Sequence, residues 1–113
     1  MQFEAQSRYY RQTFPDADYC VICLGGERVG RLIVDRRGDE MHIVDIALRP
    51  ECRGRGVGGG LIRQLLAEAD AGHLSVSLNV LKGSAACRFW ERAGFTCRGG
   101  DDVYLAMERA CEA

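Results

Sequence analysis

A glycine-rich stretch with two arginines is the part of this sequence that most clearly carries chemistry. The run Arg53-Gly54-Arg55-Gly56-Val57-Gly58-Gly59-Gly60 follows a predicted strand and opens a predicted helix. Glycines let a ligand approach the backbone closely, and the first N–H groups of a helix lack internal partners and lie at the positive end of its dipole. The stretch therefore predicts an anion site suited to a phosphate group, with arginine charge beside it.

Two common phosphate-binding patterns do not fit this stretch. The Walker pattern requires Gly-Lys-Ser/Thr, but Leu61 follows the last glycine. The dinucleotide pattern G-x-G-x-x-G is met by Gly54, Gly56 and Gly59, but it should follow the first strand of a parallel sheet and precede an acidic residue about 20 positions later. Here it follows an antiparallel meander, and the next strand ends at Asn79-Val80 without an acid. The partial match leaves a nicotinamide-nucleotide binder as a weaker hypothesis about the function.

The elements that position this stretch follow from the periodicity of the apolar residues. Strands of β-branched and aromatic residues, helices with an apolar stripe and glycine turns alternate along the chain. The predicted elements are a helix 1–14, strands 18–24, 29–34 and 41–48, a helix 61–71, a strand 74–80, a short helix after Ser84, and a hairpin of 95–98 and 103–108. In the short helix, Ser84 is the predicted N-cap, and Ala86, Phe89, Trp90 and Ala93 are predicted to face inward. The third and fourth strands are joined by a helix, so they should be adjacent and parallel. The fold class is a mixed α/β (α+β) sheet, mostly antiparallel, with a central parallel pair and flanking helices.

Length and composition exclude several classes of protein. The chain has 113 residues, a net charge of −1 and 47% hydrophobic residues, which indicates a single folded domain over residues 1–113. No apolar run approaches the ~18 residues of a membrane span and no secretory signal begins the chain, so we expect no membrane partner. The balanced charge argues against a dedicated nucleic-acid binder.

The six cysteines indicate reduced thiols and a cytoplasmic location. Cys20 and Cys23 form a C-x-x-C, but a three-residue offset on a strand places the thiols on opposite faces. No second C-x-x-C or histidine pair completes a metal site, so we expect no metal.

A third phosphate pattern leads to a family. Arg53, Gly56 and Gly58 meet [Q/R]-x-x-G-x-[G/A], and the stretch from Asp45 to Gly60 resembles the pyrophosphate-binding motif of the GNAT superfamily of acyl-CoA-dependent N-acyltransferases. The later segment Ser84-Ala85-Ala86-Cys87-Arg88-Phe89-Trp90-Glu91-Arg92-Ala93-Gly94-Phe95 resembles the family's N-x-A-x-x-x-Y-x-x-x-G-F. Both lie at the family's usual separation, and the resemblance covers nearly the whole chain.

The resemblance implies transfer of an acetyl or acyl group from acetyl-CoA to a primary amine of a small molecule or protein, by direct attack. It implies free backbone groups at Ile46 and Leu48 for pantetheine and the thioester oxygen. The positions that match the family's CoA-binding residues are Ile46, Ala47, Leu48, Arg53, Gly54, Arg55, Gly56, Val57, Gly58, Gly59, Asn79, Ser84, Cys87 and Trp90.

The catalytic residues are less determined by the sequence. Asp45 lies in an otherwise apolar strand just before the glycine stretch, and is either a general base or a structural acid paired with an arginine. His42 and Glu40 are weaker candidates for the base. Tyr104 is a candidate acid, and Cys52 offers a covalent alternative because it adjoins Arg53 and the helix start.

Departures from the family pattern keep a second function open. Trp90 stands where many members have a tyrosine that protonates the departing thiolate, and an indole N–H is not an acid near neutral pH. Ser84 replaces the usual asparagine. The alternative is therefore a catalytically weakened acyl-CoA-binding or interaction domain.

The front of the chain suggests a shortened domain that self-associates. The family usually carries one more strand and helix before the helix predicted at residues 1–14. Without them, the strand Asp18 to Leu24 would present an unpaired apolar edge, which is a template for pairing with another chain. A homodimer is the expected result, and aggregation is the alternative outcome.

Overall fold

Within the part of the chain that the structure describes, seven strands form a single mixed sheet with two α-helices. The structure is a computed structural model and describes residues 4–8, by their backbone only, 17–54 and 56–111. The elements are β1 (Glu4–Arg8), β2 (Asp18–Leu24), β3 (Glu27–Arg37), β4 (Glu40–Leu48), a 3₁₀ turn (Pro50–Cys52), α1 (Val57–Ala71), β5 (Ser75–Leu81), α2 (Ala85–Arg92), β6 (Thr96–Gly100) and β7 (Tyr104–Arg109). The strand order is β1-β2-β3-β4-β5-β7-β6.

The parallel pair at the centre of the sheet confirms the predicted fold class. β4 and β5 are adjacent and parallel, while the other neighbouring strands are antiparallel. α1 is the crossover between them, as a strand–helix–strand unit requires. β4 is nearly continuous in apolar residues because it is the middle strand of seven.

One apolar core joins one face of the sheet to both helices. Ile22, Met41 and Val76 from the sheet, Leu61 from α1 and Trp90 from α2 belong to the same cluster, and each is at most 5% exposed. α1 contacts β5, and a Cβ at Gly58 in its first turn would lie 3.6 Å from the Leu48 side chain at the end of β4. The core thus sets the position of the glycine stretch relative to the sheet.

The helix predicted for residues 1–14 is wrong where the structure describes it. Residues 4–8 form β1, which pairs antiparallel with β2, from Glu4 opposite Cys23 to Arg8 opposite Tyr19. The rest of that predicted helix lies outside the described residues. Because β1 occupies the edge of β2, the unpaired edge from which we predicted self-association does not exist there. A homodimer stays a prediction without that support.

The helix after the glycine stretch begins earlier than its apolar stripe predicts. α1 starts at Val57, so Gly58, Gly59 and Gly60 belong to its first turn rather than to a loop. Glycine disfavours a helix by roughly 1 kcal/mol per residue, and burial of Val57 and Leu61 offsets that cost. The predicted stop at Gly72 is confirmed.

Three predicted details of α2 are wrong. Ala86 and Phe89 are exposed rather than inward-facing. Ser84 occupies the N-cap position, but its side chain makes no cap hydrogen bond and its Oγ donates to the carbonyl of Leu81 at 2.8 Å. At the other end, Gly94 has a φ of 100° and the N–H of Phe95 donates to Trp90 O at 3.0 Å, which closes the C-terminus of the helix.

Candidate functional site

A groove of about 660 Å³ lies between the end of β4, the start of α1 and the exposed side of α2. It brings together most of the residues that the sequence assigns to CoA. Its lining includes Ile46, Ala47, Leu48, Arg53, Gly54, Gly56, Gly58, Gly59, Ala86, Phe89 and Trp90. Residues of the two sequence motifs thus converge on one cavity, although they are separated by a helix and a strand.

The glycine stretch forms an open cradle at the floor of this groove. Gly54 and Gly56 have φ values of 73° and 79°, and a Cβ added to either would meet nothing within 4 Å. The first hydrogen bond within α1 runs from Gly60 N to Gly56 O at 3.0 Å, so the N–H groups of the three residues between them have no intrahelical partner. The cradle therefore offers main-chain donors and positive dipole charge to an anion.

The two arginines of the stretch are not equivalent. The side chain of Arg53 is exposed, and its Nε donates to the carbonyl of Leu48 at 3.2 Å. This bond ties the glycine stretch to the end of β4. Arg55 lies outside the described residues, so its place in the site stays a prediction.

β4 and β5 separate at the groove. Their parallel pairing ends at Ile43 opposite Leu78, whereas β4 continues to Leu48. On the other side of β4, Arg49 N donates to Val29 O at 2.7 Å. In an antiparallel ladder, every second residue directs its N–H and C=O towards the partner strand. Because Arg49 faces β3, Leu48 and Ile46 direct their main-chain groups away from β3 and into this gap.

A β-bulge in β4 places Asp45 beside the gap. The register shifts between Ile33 and Val34, which lie opposite Asp45 and Ile43, so Val44 has no partner in β3. The Asp45 side chain is 36% exposed, and its Oδ2 accepts a hydrogen bond from Arg31 Nε at 2.6 Å. The arginine partner is what the structural-acid interpretation predicts, and the partial exposure leaves the carboxylate accessible for chemistry.

A second recess opens on the far side of the gap. It has a volume of about 340 Å³, and its lining includes Asp45, Asn79, Ser84, Trp90 and Tyr104. Ile46, Ala86 and Trp90 line both this recess and the groove, so the two cavities adjoin. The candidate acid Tyr104, at the start of β7, and the candidate base Asp45, on β4, thus line one cavity.

A fixed carboxylate lies at the outer rim of that recess. Asn79 and Tyr104 also line a neighbouring cavity of about 400 Å³ together with Asp101. The N–H groups of Tyr104 and Val103 donate to Asp101 Oδ1 at 2.8 Å each, and they lower the pKa of Asp101 below its usual value of 3.8. The rim therefore carries a negative charge down to acidic pH.

Several predicted site residues lie away from the groove. Val57 is 1% exposed, so only its main chain is placed to contact a ligand. Cys87 does not line the groove, and its Sγ donates to Leu81 O at 3.3 Å. Cys52 is buried and lines neither cavity, so the covalent alternative has no support.

The weaker candidates for the base lie at the other end of β4. Ser77 Oγ donates to a Glu40 carboxylate oxygen and lies 2.8 Å from His42 Nδ1. In this region β4 is still paired with β5, with His42 opposite Ser77. Neither Glu40 nor His42 lines the groove or the recess, whereas Asp45 lines the recess and is the better-placed candidate for the base.

The described residues hold neither a cluster of metal ligands nor a helix that could span a membrane. Within 17–54 and 56–111, no group of three or more His, Cys, Asp or Glu side chains is placed to hold a metal ion. All six cysteines are free. In the same part of the chain, neither helix has the length and hydropathy needed to cross a bilayer.

A second groove, which the sequence did not predict, lies between the two helices. Its volume is about 670 Å³, and Arg63, Arg88, Phe89 and Arg92 contribute to its lining. The available signal was the spacing of Arg88 and Arg92, which places both on one face of a helix. Their convergence with Arg63 of α1 is a property of the tertiary structure.

Comparison with known proteins now assigns the family. The family model described as "Acetyltransferase (GNAT) family" matches residues 1–95. The chain belongs to this family, which agrees with the sheet topology, the separated parallel strands and the glycine cradle on the described residues.

Solved structures share the fold at low sequence identity. The ribosomal-protein-S18-alanine N-acetyltransferase of Escherichia coli has a TM-score of 0.78 and 17% identity, with 99% of this chain and 96% of that chain covered. A GNAT family acetyltransferase from Elizabethkingia anophelis, solved with acetyl-CoA bound, has a TM-score of 0.77 and 10% identity, covering 96% and 97%. The PaiA N-acetyltransferase of Thermoplasma acidophilum, in complex with coenzyme A, has a TM-score of 0.75 and 17% identity. That match covers 88% of this chain, which spans 64% of that protein.

Proposed function

We propose that the protein is an N-acetyltransferase that transfers an acetyl group from acetyl-CoA to a primary amine of a small molecule or protein by direct attack. The observation that carries the proposal is the single groove formed by the open end of β4, the glycine cradle of α1 and Trp90. Such a groove suits a long ligand with a phosphate at one end and an amide-rich arm at the other. Two of the solved relatives were crystallised with CoA or acetyl-CoA.

The residues present fit CoA by their chemistry. The pyrophosphate would be held by the free N–H groups that open α1, with Arg53 adding charge. The pantetheine arm would pair with the main-chain groups of Ile46 and Leu48, as an additional strand does. The N–H of Leu48 would serve as the donor to the thioester oxygen. When bound, the thioester supplies the activated acetyl group.

Asp45 is proposed as the group that accepts the proton of the acceptor amine. An alkyl ammonium has a pKa of about 10.4 and must lose a proton before it attacks. Asp45 lines the recess beside the gap. An amine bound in this recess could transfer its proton to the carboxylate directly or through one water. Arg31 holds one carboxylate oxygen and so fixes its orientation.

Asp45→Asn is expected to lower kcat at pH 7 by about 10²–10⁴-fold. The dissociation constant for CoA should change less than about twofold, because Asp45 does not line the CoA groove. Steady-state kinetics with a panel of amines and calorimetric titration of CoA measure the two quantities. Asp102→Asn, an exposed change in the loop before β7, is the matched control. Normal turnover with a melting temperature several degrees lower would show that Asp45 is structural.

Tyr104 is proposed as the proton donor to the leaving thiolate. The indole N–H of Trp90 donates hydrogen bonds but does not release its proton near neutral pH, so it cannot act as the acid. The Tyr104 side chain is 46% exposed and lines the recess together with Trp90. Tyr104→Phe is expected to lower kcat only about tenfold, because a thiol of pKa about 8.5 leaves without full protonation. The loss should be smaller at higher pH in a kcat profile. An unchanged kcat would remove Tyr104 from the mechanism.

The second candidate function is a domain that binds acyl-CoA without turnover. Trp90 in the position of the family's tyrosine is the observation that favours it. Calorimetric binding of CoA with no acetyl transfer to any amine of a broad panel would establish this alternative. Acetyl transfer to any of them excludes it.

A cytoplasmic location is also proposed. Six free cysteines, of which Cys97 is exposed and Cys23, Cys87 and Cys111 are half-buried, suit a reducing compartment. Fractionation of cells that express the chain tests this location.

A further inference from the structure

The groove between α1 and α2 is lined on both sides by arginines. Arg63 comes from α1, and Arg88 and Arg92, one helical turn apart, come from α2. A Cβ built at Gly59 would lie 3.5 Å from Arg63 Nη1, so this guanidinium extends back over the first turn of α1. Three arginines therefore line one cavity of about 670 Å³.

These charges are not neutralised within the described part of the chain. No aspartate or glutamate of residues 17–54 and 56–111 lines the groove. None of the three arginines makes an ion pair there, whereas Arg31, Arg36, Arg37 and Arg109 each pair with a carboxylate. Three unpaired guanidinium groups in one groove are the arrangement that binds a phosphomonoester.

The groove is continuous with the proposed CoA site. Gly59 and Phe89 line both cavities, so a ligand whose pyrophosphate rests on the glycine cradle can extend directly between the helices. Phe89 is 39% exposed, and its ring is held edge-on by Trp90 at 5.0 Å between centroids and an 83° interplanar angle. An exposed ring fixed in this way is a surface on which a nucleobase can stack.

We propose that Arg63, Arg88 and Arg92 select for the 3′-phosphate of the nucleotide, so that this protein discriminates CoA from 3′-dephospho-CoA. The inference rests on the proposed function, because the pyrophosphate on the cradle sets where the adenosine must continue. A phosphomonoester carries a charge of about −1.5 to −2 at pH 7, and only CoA presents one at this place. Adenosine 3′,5′-bisphosphate keeps the adenosine, the 3′-phosphate and the first 5′-phosphate of CoA but lacks the second 5′-phosphate and the pantetheine arm. It should therefore occupy the groove and compete with CoA.

Calorimetric titration of the whole chain with CoA and with 3′-dephospho-CoA tests the proposal. The wild-type protein should bind CoA about 10- to 100-fold more tightly at low ionic strength. The advantage should shrink as salt is raised, since exposed charges are screened. Adenosine 3′,5′-bisphosphate should displace CoA, and AMP should not do so at the same concentration.

Arg88→Gln/Arg92→Gln should bring the two dissociation constants within about threefold of each other by weakening CoA alone. Arg98→Gln, which removes an exposed charge on β6, away from the groove, is the control and should leave the ratio unchanged. Arg63→Gln, a single change on the other helix, should reduce the ratio in part and tests the α1 side separately. Circular dichroism confirms that each variant is folded.

The outcomes separate the inference from the proposed function. Equal affinity of the wild-type protein for CoA and 3′-dephospho-CoA, or a ratio that survives in the double arginine variant, overturns the inference and leaves CoA use intact. Failure of both ligands to bind overturns the proposed function itself.

Discussion

Gly56→Val is expected to abolish CoA binding while the fold persists. Gly56 is the N-cap of α1, its φ is 79°, and it lines the groove. A Cβ there meets no protein atom within 4 Å, so the valine side chain would occupy the space that the ligand needs. We expect the affinity for CoA to fall more than about 100-fold, equivalent to about 2.7 kcal/mol, as measured by calorimetric titration.

Gly38→Val is the matched control for that variant. Gly38 lies in the turn between β3 and β4, has a φ of 57° and also has open space at its Cβ position. Both variants place a β-branched residue in the left-handed region and should lose a similar amount of stability, about 1–2 kcal/mol. Only Gly56→Val should lose CoA binding. If both bind CoA normally, the cradle is not the phosphate site.

Arg53→Ala should weaken CoA binding much less than Gly56→Val does. An exposed charge contact contributes about 1 kcal/mol or less, and the Arg53 side chain is already hydrogen-bonded to Leu48 O. Equal effects of the two substitutions on CoA affinity would contradict a site built mainly from main-chain donors.

Asp70→Leu is expected to lower the free energy of unfolding by about 3 kcal/mol. Asp70, in the last turn of α1, accepts two hydrogen bonds from the Arg109 guanidinium of β7, at 2.9 and 3.1 Å. The Arg109 side chain is only 9% exposed. The substitution therefore leaves the guanidinium charge buried without its ion pair to Asp70. Urea unfolding followed by circular dichroism measures the change.

The double variant Asp70→Leu/Arg109→Met is the control for this prediction. It removes both charges and keeps apolar volume, so most of the lost stability should return. The affinity of folded protein for CoA should be unchanged in both variants, because neither residue lines the groove. A single variant within about 0.5 kcal/mol of the wild type would show that the pair contributes little.

The sequence by itself determined the parts of the protein that depend on local pattern. The β-branched and aromatic content of β2, the alternation along β5, the glycine-rich turns and the apolar stripe of α1 predict the central sheet and its crossover. The glycine stretch predicts the anion cradle, because dihedral freedom and free N–H groups at a helix start are local properties. The family and its fold followed from two such stretches in the expected order.

The first strand, β1, forms because β2 offers it a partner. Residues 4–8 read Glu-Ala-Gln-Ser-Arg, with no β-branched or aromatic side chain, and aromatic residues on both sides of them fall at helical spacing. β2 offers them a row of unpaired main-chain groups, and pairing with that row outweighs weak local propensity. Local pattern could therefore not predict the strand.

The chemistry of the site depends on tertiary structure most of all. The separation of β4 from β5 after Ile43, and the bulge at Val44 that sets the place of Asp45, arise from strand registers that no single segment encodes. The arginine groove requires Arg63 of α1 and Arg92 of α2 to line one cavity. Phe89 is exposed on α2, whereas Trp90 and Phe95 are buried and pack edge-to-face. The sequence thus determined which main-chain segment offers donors to a phosphate, and the packing of the helices on the split sheet decided which side chains surround it.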